Sequence, residues 1–123
     1  MALNEDALFY SMNEASYPSA EMDIHKRFGD DCGLYRPTSA EELNELGGFL
    51  GSYGFGTRYW IDLSLDEPEP WLPWAPGQPS GGFPISPIYR AVLDYGGPDN
   101  ISVRVAPLSQ NYRYFTFIPE DQT

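Results

Sequence analysis

Cysteine is almost absent: Cys32 is the only one in 123 residues. An intramolecular disulfide and a cysteine-built metal site are therefore excluded. The carboxylates of Asp30 and Asp31 stand beside Cys32 and blunt it as a nucleophile, so it reads as a buried, inert thiol that suits a reducing compartment. Histidine is equally scarce. His25 is the only one, so no histidine pair can ligate a metal, and no nucleophile motif surrounds any Ser or Cys32 for it to serve as base. Basic residues are few: seven Lys and Arg, of which only Lys26 is lysine, face 18 Asp and Glu, for a formal charge of −11. A phosphate backbone or an anionic membrane surface would be repelled, which argues against nucleic-acid or membrane partners. No apolar run approaches the roughly 20 residues of a membrane helix. The opening Met1-Ala2-Leu3-Asn4-Glu5-Asp6 has neither a basic region nor an apolar core and does not read as a signal peptide. Internal repeats, low-complexity tracts, a phosphate loop and a dinucleotide fingerprint are all missing.

Aromatic residues are what the chain has in excess. Nine Tyr, seven Phe and three Trp make up 15% of it, with 12 Gly and 12 Pro to punctuate short elements. The length suits one domain over residues 1–123. Fourteen of the 18 acids fall in residues 5–69, which keeps a Tyr-rich surface soluble and can steer the chain onto a basic partner.

Residues 7–12 read as a first strand. Asn13 to Ser19 is a turn leading into a helix, with Pro18 suited to its first turn and Ala20, Ile24 and Phe28 on one face. Gly29 stops it. Ser39-Ala40-Glu41-Glu42 fits a capping box, and Leu43, Leu46 and Leu50 give a second helix its apolar face. Gly47-Gly48 weakens that helix. Tyr59 to Leu63 reads as a central strand. From Ser64 to Pro87 the chain holds seven of its 12 prolines, a density that permits neither a ladder nor a helix. This long loop, about 64–90, should be packed through Trp71, Trp74 and Phe83. Strands are predicted over Ala91–Tyr95, Ile101–Val105 and Tyr112–Ile118, the first two joined by the Gly96–Asn100 turn. The order β-α-α-β-loop-β-β-β predicts an α+β fold on an antiparallel sheet.

Four segments in this order resemble the C-type lectin-like domain. Tyr59-Trp60-Ile61-Asp62-Leu63 is similar to its Trp-Ile-Gly-Leu strand, with Asp62 for glycine. Trp74-Ala75-Pro76-Gly77-Gln78-Pro79-Ser80 resembles its long-loop motif, and Tyr112 to Phe117 its closing strand. Gly33 to Leu43 resembles the Arg-Leu-Pro-Thr, Glu-Leu pattern of bacterial and phage relatives. The resemblance implies a binding scaffold of two helices on a small sheet. It also implies two disulfides, which are absent, and a calcium site. Calcium takes hard oxygen ligands. This loop offers Gln78, Pro79 and Ser80, and the matching later triplet is Val103-Arg104-Val105, with no carboxylate and one cation. The expectation is a binding module with no cofactor and no metal.

The candidate ligand residues lie in the loop. Trp71 and Trp74 form either a ligand platform or anchors to the core, whereas Trp60 belongs to the core. Gln78 and Ser80 flank the altered motif. Asp66, Glu67 and Glu69 cluster in a Pro-stiffened turn that can meet a cation or stand in solvent. Phe83 follows Gly81-Gly82 and reads as a contact residue at an exposed apex. The expected function is calcium-independent binding of a protein or glycan, in a phage receptor-binding protein or bacterial adhesin at a virion or cell surface. The alternative is an acidic inhibitor or immunity-type protein, cytoplasmic, that blocks a basic partner. No catalytic constellation is assembled, and the oligomeric state stays open, a homo-oligomer included.

Overall fold

A computed structural model describes residues 5–66, 71–79, 82, 84–97 and 99–118. Five strands, β1 (Leu8–Tyr10), β2 (Thr57–Trp60), β3 (Tyr89–Tyr95), β4 (Ile101–Pro107) and β5 (Arg113–Phe117), accompany helices α1 (Tyr17–Phe28) and α2 (Ala40–Leu50). The sheet order is β1-β5-β2-β3-β4. Three pairings are antiparallel, as expected. The fourth, β2 with β5, is parallel, with Tyr59 beside Arg113 and Trp60 beside Tyr114. The sheet is therefore mixed. The last strand returns between the first and second, antiparallel to β1, and this leaves it parallel to β2.

Side-chain alternation along the strands puts one helix on each face. Trp60, Val92, Ala106 and Tyr114 pack with Tyr17, Ala20 and Ile24 of α1. Tyr59, Leu93, Tyr95, Val103 and Phe115 pack with Leu43, Leu46 and Leu50 of α2. The leucine face foreseen for α2 is buried, and on α1 Ala20 and Ile24 are buried, joined by Tyr17, while Phe28 is only partly buried. Trp60 is fully buried, and its indole N–H donates to the Ala15 carbonyl at 2.8 Å. Gly29 follows α1, and its N–H bonds the His25 carbonyl.

Half of the capping box forms. Ser39 Oγ accepts from the Glu42 N–H at 3.1 Å. The Glu42 carboxylate does not reach back to Ser39. It is buried and accepts from the Tyr35 hydroxyl at 2.5 Å and from Thr38 at 2.8 Å. Burial, together with the bond and charge of Glu42, pushes the Tyr35 phenol well above its usual range. The Gly47 carbonyl accepts from the buried Tyr95 hydroxyl at 2.6 Å.

The central strand was expected to run to Leu63. Its ladder with β3 ends at Trp60 opposite Val92. Beyond it, the Ile61 N–H still donates to the Ala91 carbonyl of β3 at 3.1 Å, and the Asp62 N–H turns to the Tyr35 carbonyl at 2.9 Å, so the chain leaves the sheet after Ile61.

Candidate functional site

The long loop is strapped to the sheet. β4 is an edge strand, and an open edge invites pairing with another chain. The Val103 N–H donates to the Pro73 carbonyl at 3.0 Å, and the Ala75 N–H donates to the Val103 carbonyl at 2.9 Å. Trp74 thereby forms a parallel bridge to Val103. Two positions on, the Gln78 side-chain oxygen accepts the Val105 N–H at 3.2 Å. The bond between Gln78 and Pro79 is cis. Proline supplies no donor to a ladder, so the strap uses a carbonyl, one N–H and a side chain where a regular strand would use its N–H and C=O groups in regular succession.

This strap places the predicted residues. Trp71 and Trp74 are half-buried and pack against the α2-side core. Gln78 is turned onto the strand backbone. Asp66 is exposed, with its N–H on Ser64 Oγ at 3.3 Å. Glu67, Glu69, Ser80 and Phe83 lie outside the described residues.

Trp71 also walls a cleft of about 310 Å³. Pro73 continues the loop side, Ala40, Leu43 and Asn44 of α2 form the opposite wall, and Asp99 and Ile101 close the end. The Asp99 wall is held by a tight turn: the Gly96 N–H bonds the Asn100 carbonyl at 2.8 Å, and the Asn100 N–H bonds that of Gly97 at 3.0 Å. A Cβ at Gly96 would lie 2.6 Å from the Asn100 side-chain amide, so that side chain would have to shift. The cleft thus offers an indole, an amide and a carboxylate around an apolar floor. Sequence reading singled out Trp71 alone among these. Asn44 and Asp99 stand 55 positions apart in the chain and carry no local signal; only the packing of α2 against the β3–β4 turn brings them together.

A second cleft, about 400 Å³, opens where β2 outruns its parallel partner. Glu14, Arg58, Asp94 and Arg113 line it, and Asp94 sits 3.4 Å from Arg58 and 3.5 Å from Arg104, so that carboxylate is already held by two guanidinium groups. A third, about 360 Å³, lies on the α1 face between Tyr17, Asp62 and Arg90.

The calcium site implied by the fold resemblance is not supported by these residues. The Gln78 oxygen is committed to Val105, and Arg104 brings a cation to the matching strand, bonded to Asp94. Among the described residues no group of three or more His, Cys, Asp or Glu could hold a metal ion.

No family model matches the chain. No curated protein matches its sequence. Solved structures do match. CEL-IV aligns with a TM-score of 0.70 at 16% identity, covering 91% of this chain and 86% of its own. EMS16, an antagonist of the collagen receptor integrin alpha2beta1, aligns at 0.62 and 17%, covering 91% and 90%. The carbohydrate-recognition domain of the human scavenger receptor C-type lectin aligns at 0.63 and 17%, covering 88% and 86%. At such identities the likeness is one of fold, and the chain has the C-type lectin-like fold.

Proposed function

We propose that this chain is a non-catalytic binding module that takes a glycan or a protein side chain in the Trp71 cleft without calcium, in an adhesin or phage receptor-binding setting. The observation that carries the proposal is the cleft itself. A rigid indole face, an amide and a carboxylate converge in one concavity, and these are the groups that stack on a ring and bond its hydroxyls. Its volume sits at the small end of the usual range of about 300–1,000 Å³, which suits a terminal group better than an extended chain. Two of the structures sharing the fold support the reading: one is described as a carbohydrate-recognition domain and the other as an integrin antagonist.

Trp71→Ala should weaken binding of any ligand found by at least about tenfold, as loss of an aromatic anchor does. Asp99→Asn should weaken a hydroxyl-bearing ligand by a smaller factor. Titration calorimetry with array-identified ligands reads both. Affinity unchanged in Trp71→Ala would remove the cleft from the account.

A further inference from the structure

The α1-face cleft has a different chemistry. Asp62 stands where the resembling motif has glycine, at the point where the chain leaves β2. Its side chain is half-buried and lines the cleft. Among the described residues its carboxylate has no hydrogen-bond partner and no ion pair. Arg90, on the same cleft, spends its Nη1 hydrogen bonds on backbone carbonyls, that of Pro87 at 2.8 Å and that of Tyr89 at 2.9 Å. Its guanidinium lies 5.3 Å from the centre of the Tyr17 ring, and its charge and that of Arg36 act on Asp62 without a direct contact. Glu21 adds a second carboxylate on the α1 side, and Leu63 and Leu108 supply aliphatic wall.

A half-buried carboxylate without a partner is costly, and an incoming cation relieves it. Aliphatic and aromatic walls ending in a carboxylate match a methylene stem ending in an ammonium. The formal charge of −11 would steer a basic surface toward it. We infer that this cleft is a second binding site, independent of the Trp71 cleft, that receives a lysine side chain of a basic protein partner, with Asp62 as the counter-ion and Glu21 at the rim.

Burial already lifts the Asp62 carboxyl above the ordinary carboxylate value, and Glu21 adds to this, while Arg36 and Arg90 pull it down. A bound ammonium would pull it further down. That gives a readout apart from affinity.

The test is an NMR titration of the isotope-labelled full chain with Nα-acetyl-lysine methylamide, and with the neutral norleucine counterpart. The lysine probe should produce saturable shifts at Tyr17, Asp62, Leu63 and Arg90, and lower the titration midpoint of the Asp62 carboxyl. Norleucine should do neither. Asp62→Asn should weaken the lysine probe by about tenfold, Glu21→Gln should weaken it less, and Trp71→Ala should leave it unchanged. Glu21 lies on the helix surface, so its variant keeps the test open should Asp62→Asn fail to fold. Equal response to norleucine, shifts scattered over exposed acids such as Asp30 and Asp31, no saturable response, or full binding by either carboxylate variant would overturn the site.

Discussion

Two aspartates on the α1 side show how environment sets the state of a carboxyl group. Burial alone would raise Asp23, but the bond from the Tyr114 hydroxyl at 2.6 Å and the bond and charge of Arg27 outweigh it and hold the group below its usual value. Asp62 has no such donors, and burial keeps it raised. The signs follow by linkage. Asp23 ionises more readily folded than unfolded, so its contribution is present above the unfolded value and fades as pH falls through the folded one. Asp62 behaves in the opposite way: its protonated form is favoured by folding, a contribution present below the unfolded value and lost as pH rises through the folded value. Asp62→Asn should therefore be more stable than the parent at neutral pH. The difference should shrink on acidification and close below the ordinary Asp value of about 3.9. Chemical denaturation at a series of pH values checks this, and a gap that widens in acid would show the carboxyl is paired.

Among the elements, the strap of the long loop on β4 decides what the loop can do. Gln78 sits in a segment that resembles a ligand-binding motif, yet its oxygen completes the edge of the sheet. Gln78→Ala should cost about 1 kcal/mol of local protection, the net worth of one hydrogen bond. Amide exchange at Val105 should then quicken roughly fivefold, and unchanged exchange would mean the bond does not form in solution. Much of this level was legible in the chain. Ser39, the leucine face of α2, Gly29 and the 101–105 alternation each carry a local rule, and each marks its element. The parallel β2–β5 pair carried no such signal, because register between strands more than 50 residues apart depends on the whole packing. The same reason hid Asn44 and Asp99. The reciprocal half of the capping box also failed to form, since burial beside Tyr35 and Thr38 gave Glu42 better partners than the Ser39 N–H.

For the whole molecule, charge and fold act on different quantities. The fold supplies two clefts on opposite faces of one sheet, a loop-side cleft with an indole and an α1-side cleft with a carboxylate. The surplus of acid acts at longer range and affects the rate of encounter. Association with a basic protein partner should slow as salt shortens the screening length from about 10 Å at 0.1 M to about 3 Å at 1 M. Stopped-flow association rates check this, and a salt-independent rate would remove steering from the account. Binding in the Trp71 cleft rests on stacking and hydrogen bonds and should be far less sensitive to salt.

The central claim is calcium-independent recognition, resting on a loop whose Gln78 is tied to Val105 and a strand that presents Arg104 where a metal would need oxygen. It is tested most directly by a glycan array probed with the intact chain, once with calcium and once with chelator. The account predicts the same set of bound glycans at the same strength in both arms. Binding that appears with calcium and vanishes with chelator would contradict it.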